Sequence, residues 1–285
     1  MSIIERAIQA ARAKAPAIPA QPAHTTTTGT PRVPVQPRPV HTTARESVVF
    51  PHMGNGGSLI TEGTDRKTYD QFRRLKRPLL QCAFGPLAHT PDTQIIMITS
   101  PLQGTGKTFI SSNLAYALAL EKDRNVLLID TDNANPTLTR QLGLTGRPGL
   151  YDLIGTPDML PEQVICGTDI PGLWVLPAGG TATDALELLN SSRCRDVLHA
   201  IMSRDPNGIV ILDAPPLLIT NEAPAVTALA GQFLLVVESG VTPRSSVTRS
   251  LEMLDARKPI GLVLNKAPGK GELSSYYPTY PYPSA

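Results

Sequence analysis

Nine residues, Ser100-Pro-Leu-Gln-Gly-Thr-Gly-Lys-Thr108, carry the plainest chemistry in this 285-residue chain. An apolar run, Ile95 to Ile98, precedes them. A segment with apolar residues at helical spacing, Phe109 to Leu120, follows through Ile110, Leu114, Ala117 and Leu118. A strand, a Gly-rich turn and a helix opening on Gly-Lys-Thr form a grip for a triphosphate. Backbone N–H groups of Gly104, Thr105, Gly106 and Phe109 and the positive helix N-terminus surround the phosphates. Lys107 reaches the outer phosphates, and the Thr108 hydroxyl can ligate Mg²⁺. Pro101 stands where the general pattern has its first Gly, so the first corner of the loop must differ from the common form.

Acids complete the constellation. Val-Leu-Leu-Ile is followed by Asp130-Thr-Asp132, and Ile-Val-Ile-Leu by Asp213-Ala-Pro-Pro216. A carboxylate at the end of a buried strand beside a phosphate loop can hold Mg²⁺ directly or through water, and Asp213 fits that role. Asp130 and Asp132 share a strand end, so one can serve the metal while the other accepts a proton from a nucleophile. That nucleophile is water or a side chain. Four of the seven tyrosines, Tyr276, Tyr277, Tyr280 and Tyr282, lie in the last ten residues. Prolines 278, 281 and 283 keep this stretch extended and out of a sheet, which makes core packing a poor account of the rings. Eleven steps separate Asn265 from Tyr276 and span at most about 36–40 Å. A tail of that reach can serve its own site or a neighbour's.

The elements that must position these groups follow from hydropathy. Short apolar runs at Ile95–Thr99, Val126–Asp130, Leu173–Pro177, Ile209–Asp213, Phe233–Glu238 and Gly261–Asn265 alternate with helical patterns such as Thr183–Ser203 and Arg244–Arg257. Continuously apolar strands separated by helices predict an α/β domain over 65–270, with a mostly parallel sheet covered on both faces. Ligands of such sheets collect at the carboxyl ends of the strands, where all the acids above lie. Tyr69 to Leu80 reads as an amphipathic helix with Phe72, Leu75 and Leu79 on one side. Its row Asp70, Arg73, Lys76 reads as a solvated face.

Upstream, residues 16–64 are rich in Pro and Thr, lack aromatics before Phe50 and hold Glu46 as the one acid up to residue 60, which predicts a disordered linker. Residues 1–15 predict a short docking helix, with Ser2 and Glu5 at capping-box spacing and Ile4, Ala7, Ile8 and Ala11 on one face. Residues 271–285 form the flexible Tyr/Pro tail. No run reaches the length that spans a bilayer and no signal peptide is visible, so a soluble, cytoplasmic protein is expected. Cys82, Cys166 and Cys194 lack metal spacing, and a formal net charge of +2 offers no nucleic-acid surface.

Taken together, SPLQGTGKT, VLLIDTD, IVILDAPP and the terminal tyrosines resemble the Walker A, second Walker-A-like and Walker B motifs and tail of the bacterial tyrosine kinases, the BY-kinases, over Tyr69 to Ala285. The N-terminal MSIIERAIQAARA and the linker look like the separate autokinases of exosortase-type exopolysaccharide systems. The resemblance implies an ATP- and Mg²⁺-dependent tyrosine autokinase of P-loop NTPase fold. Lys107 and Thr108 would then bind phosphates and Mg²⁺, Asp130 would be the base, Asp132 and Asp213 would organise the metal, and Asn265 would contact adenine. Tyr276, Tyr277, Tyr280 and Tyr282 would accept phosphate. Asp70, Arg73 and Lys76 would form the interface of a homo-oligomeric ring in which each subunit offers its tail to the next. A transmembrane polysaccharide co-polymerase, or chain-length determinant, would hold the protein at the inner face of the membrane. The chain departs from the family at Gln103, at Ala134 where an Arg is usual, and at Asp70 and Lys76, which replace Glu and Arg. Two other readings are a ParA/MinD-like dimerising ATPase switch, whose early signature Lys is Leu102 here, and a non-catalytic nucleotide-binding adaptor.

Overall fold

The computed structural model describes residues 47–51, 59–63, 65–86, 88 and 92–267. The 1–15 helix, the tail and its four tyrosines lie outside the described residues, as does most of the 16–64 segment.

Seven strands form one sheet in the order β3-β4-β2-β5-β1-β6-β7. They are β1 (Ile95–Thr99), β2 (Val126–Asp130), β3 (Cys166–Gly167), β4 (Leu173–Leu176), β5 (Ile209–Asp213), β6 (Gln232–Glu238) and β7 (Ile260–Asn265). All neighbours are parallel except β3, a two-residue edge strand antiparallel to β4. Every residue of β1, β2 and β5 is buried, the consequence of a parallel sheet covered on both sides.

Strand alternation divides the core in two. Ile96, Ile98, Val126, Leu128, Ile209 and Ile211 face one layer, which also contains residues of α1 (Arg66–Phe84), α2 (Lys107–Ala119) and α3 (Thr137–Gln141). Ile95, Met97, Leu127, Ile129, Val210 and Leu212 face the other. There they pack with α4 (Leu150–Gly155), α5 (Pro161–Val164), α6 (Ala185–Asn190), α7 (Ser192–Arg204) and α8 (Ala223–Leu229). Val247 and Leu251 of α9 (Arg244–Glu252) pack at its margin. The α/β architecture expected from the alternating pattern is the one observed.

Three boundaries differ from the sequence reading. The linker assigned to 16–64 ends too late, because Val48, Phe50, Leu59 and Ile60 are buried. Val48 donates to Gly167 O, its carbonyl accepts from Asp169 N, and it bridges Thr168 in parallel. The Phe50 amide donates to the Asp169 carboxylate, and the Ile60 amide to Asn113 Oδ1. Two apolar clusters this short show no period, and the Pro/Thr composition around them hides them. The single helix expected over 183–203 is two, broken at Ser191, whose extended backbone and hydroxyl cap α7 through Cys194 N. The helix expected over 244–257 ends at Glu252, short of a turn in which Asp255 binds Arg257.

Helix α1 begins where Asp65 caps Thr68 N and lies on α2, with Phe72 meeting the Phe109 ring edge-on at 6.0 Å between centroids. Asp70 and Arg73 remain on the outer surface, 3.7 Å apart with side chains 47% and 59% exposed. Lys76 does not join them. Its ammonium reaches Glu121 at 2.5 Å and Ala117 O at 3.0 Å, leaving the side chain 12% exposed. The row read as one charged face is therefore split between solvent and the α1–α2 contact, because Glu121 lies just beyond α2 and draws the third charge inward.

Candidate nucleotide site at the carboxyl edge of the sheet

The parallel strands bring the sequence candidates to one edge. The β2–β5 register sets Asp130 beside Asp213, and β1, the next neighbour of β5, runs into the Ser100–Gly106 loop. On the far side of β1, the ends of β6 and β7 place Glu238 beside Asn265. Three acids, the loop and the Asn thus follow from strand order alone.

The loop is held from both flanks. Ser100 O accepts from Leu217 N, and the Ser100 hydroxyl donates to Leu102 O at 2.6 Å. Gly104 and Gly106 have φ of +79° and +92°, the left-handed region that favours glycine. A Cβ at Gly106 would also lie 2.3 Å from Asn265 Nδ2, so that side chain would have to shift. Helix α2 then starts at Lys107, presenting the unpaired amides of its first turn at the loop.

Beneath it lies a buried polar network. Thr108 Oγ1 donates to Asp213 Oδ2 at 2.7 Å, and Ser111 Oγ donates to Asp213 Oδ1 at 2.9 Å. Ser111 went unnoticed in the sequence, although it stands one helical turn after Lys107 on the same face. Asp130 accepts from Thr139 N, Thr139 Oγ1 and Asp132 N. The Thr139 hydroxyl also accepts from Ala178 N, tying α3 to the strand end of β4. No motif marks Thr139, which meets Asp130 nine residues upstream across the β2–α3 connection and Ala178 only through the fold. Asp132 accepts from Asn135 N.

Exposure grades the three acids: Asp130 is 0%, Asp213 3% and Asp132 9% exposed. Burial pushes the Asp130 carboxyl up, and the neighbouring Asp213 charge pushes the same way. Burial also raises Asp213, against the opposing hydrogen bond from Thr108 and the charge of Lys107. Asp132 is raised by burial as well, opposed by Asn135 N and Lys107. For a carboxyl raised in the fold, stability present below the ordinary carboxylate range is lost as pH climbs through the raised range. In chelator-treated, ligand-free protein the unfolding midpoint should therefore fall between about pH 5 and about pH 8, and fall less in Asp213→Asn. Equal slopes would show that the pair does not titrate as its burial requires.

Asn265, expected at a base, lies against the loop: its Nδ2 donates to Thr105 O at 2.7 Å. Beside it Lys266, absent from the sequence reading, donates to Gly104 O at 2.7 Å and pairs with Glu238 at 3.1 Å.

The donor set suits a Mg-nucleotide. Thr108, Asp132 and Asp213 offer only oxygen, as Mg²⁺ prefers, and Lys107 lies close enough to act on both acids. In the loop itself Thr105 Oγ1 is buried without a hydrogen-bond partner among the described residues, at the place where phosphate oxygens would lie.

Comparison with known proteins finds a nucleotide-binding domain and tyrosine-kinase relatives. Residues 96–278 match the family described as the CobQ/CobB/MinD/ParA nucleotide binding domain. The chain is 30% identical over 179 residues to the tyrosine-protein kinase CpsD of Streptococcus agalactiae, covering 61% of this chain and 76% of that protein. It is 31% identical over 173 residues to the tyrosine-protein kinase Ptk of Acinetobacter johnsonii, covering 60% of this chain but 23% of that much longer relative. The kinase domain of the Escherichia coli tyrosine kinase ETK superposes with a TM-score of 0.61 at 26% identity, over 79% of this chain and 86% of that one.

Proposed function

From its membership of the bacterial tyrosine kinases, within the CobQ/CobB/MinD/ParA nucleotide-binding domain family, we propose that this chain transfers the γ-phosphoryl group of ATP to its own C-terminal tyrosines. The observation that carries the proposal is the Thr108–Asp213 hydrogen bond under the Lys107 loop, with Asp130 alongside. Thr108, Asp213 and Asp132 would hold Mg²⁺, which when bound supplies neutralising charge for the phosphates. Lys107 and the α2 amides orient those phosphates. The phenol of Tyr276, Tyr277, Tyr280 or Tyr282 must lose a proton as its oxygen bonds to phosphorus. Asp130, beside Asp213 at the carboxyl edge of the sheet, is the candidate acceptor; it is fully buried and accepts from Thr139 and Asp132, so the phenol would have to displace one of these donors to reach it.

Transfer in trans within a ring of copies is part of the proposal, with Asp70 and Arg73 of α1 on the meeting surface. Lys76 is left out of that surface, since Glu121 and Ala117 occupy it. Each phosphotyrosine adds about −1.5 to −2 charges, so four would set roughly −6 to −8 against the site acids and drive the tail out. Control of exopolysaccharide synthesis or export through a transmembrane co-polymerase partner, at the inner membrane face, completes the reading. No helix among the described residues is long and apolar enough to cross a membrane.

The test is mass spectrometry of the tail after incubation with Mg-ATP, alone and with the partner's cytoplasmic segment. Phosphotyrosine within 276–282 is expected, and none in Lys107→Ala. Steady ATP hydrolysis stimulated by lipid or DNA without phosphotyrosine would replace the kinase with a switch ATPase. Binding with negligible turnover would leave an adaptor.

A further inference from the structure

Two consecutive residues at the end of β7 hold two consecutive carbonyls of the phosphate loop. Asn265 Nδ2 donates to Thr105 O, and Lys266 Nζ donates to Gly104 O, both at 2.7 Å. The two segments are about 160 residues apart in sequence, and the sheet order brings them together. In a trans peptide the C=O and N–H point in opposite directions. Drawing the Gly104 and Thr105 carbonyls toward β7 therefore turns the Thr105 and Gly106 amides away from it, into the cradle between loop and helix. Neither amide donates to an acceptor among the described residues.

Lys266 is held for this task from two sides. Its backbone lies in the left-handed region at φ 54°, one of two non-glycine residues among those described with positive φ. A lysine there is strained, and such strain persists where surrounding contacts over-determine it. Its ammonium also pairs with Glu238, whose side chain is 19% exposed and stands in register with Asn265 on the neighbouring strand. The Lys266 side chain is itself 49% exposed, and the Glu238 pair and the Gly104 bond together hold its ammonium at the loop.

We infer that Lys266 is a positioning residue for nucleotide: anchored by Glu238, it sets the Gly104–Gly106 peptides so that their amides face the phosphates. This rests on the nucleotide reading of the loop. It makes Lys266, a residue at the root of the segment leading to the tail, a determinant of how long nucleotide stays bound.

The experiment measures binding and dissociation of a fluorescent ATP analogue with Mg²⁺ on the full chain, without reference to turnover. Lys266→Met should weaken binding about 10-fold, mainly through faster dissociation, the loss of one charge-assisted hydrogen bond. Lys266→Arg, which keeps a cationic donor, should recover most of that loss. Glu238→Gln, which leaves the lysine but loosens it, should fall between wild type and Lys266→Met. Wild-type affinity and dissociation in Lys266→Met would overturn the inference, as would a loss that Lys266→Arg does not recover. Should Lys266→Met fail to fold, Lys266→Arg and Glu238→Gln decide: unchanged dissociation in Glu238→Gln would then count against it. Lys107→Ala separates the two readings. If Lys107→Ala binds as wild type, the nucleotide site itself is misplaced; if it loses binding while Lys266→Met does not, only the role of Lys266 falls.

Discussion

Replacing Asp213 with asparagine is expected to lower tail phosphorylation by at least ~10²-fold while leaving the protein folded. Asp213 accepts from both Thr108 and Ser111, and it sits in register with Asp130. An amide cannot accept both hydroxyl bonds on equivalent oxygens, and it removes the negative charge that a Mg-nucleotide requires. It also relieves a cost, since two raised carboxyls no longer oppose each other in a buried site. Lost activity joined to unchanged or higher ligand-free stability near pH 8 is the signature expected of an acid kept for function. Quantitative phosphotyrosine measurement beside thermal melting checks both halves. A variant that keeps its activity within about 3-fold of wild type would remove Asp213 from the proposed machinery.

Phe50→Ala is expected to cost about 3–5 kcal/mol, a core-sized penalty for a residue embedded in a Pro/Thr-rich stretch. Phe50 is buried with Val48, Leu59 and Phe72 in the layer that carries α1 and α2, and its amide is held by Asp169. Val49 points outward, 67% exposed, so Val49→Ala should change stability by no more than about 0.5 kcal/mol. Urea unfolding of the two variants makes the comparison. If they unfold alike, the 47–63 segment contributes nothing to the fold. If they differ as expected, the domain starts well before residue 65, and a protein trimmed to that residue will have lost part of its core.

Much of the site was readable one segment at a time. The run Ile95–Thr99, the Gly-rich turn and the Gly-Lys-Thr helix start are local signals, and so are Asp130 and Asp213 at the ends of continuously apolar strands. Each depends on neighbours within a few residues, which a sequence displays directly. The parallel sheet and its two helical layers follow from the same alternation, and the six expected strands lie within a residue of those observed, while the two-residue antiparallel edge strand β3 was not expected. The split at Ser191 was harder, because its flanks keep a helical period on both sides and only the cap at Cys194 N marks the break.

Side-chain partners were another matter. The pattern that made Asp70, Arg73 and Lys76 one row says nothing about Glu121, which takes Lys76 away from it. Thr139 holds Asp130 only because α3 packs beneath β2, and Lys266 reaches Gly104 only because β7 closes on β6 beside the loop. By itself the sequence determined which segments become strands and helices, and which residue types stand at the carboxyl edge, since periodicity, glycine and strand-end acids act over short range. The tertiary structure decided which hydrogen bonds those residues make, which acid is sealed and which lies nearest solvent, and what grips the phosphate loop. Those outcomes depend on strand order and packing between residues from nine to about 160 positions apart, beyond the few residues over which a local pattern acts.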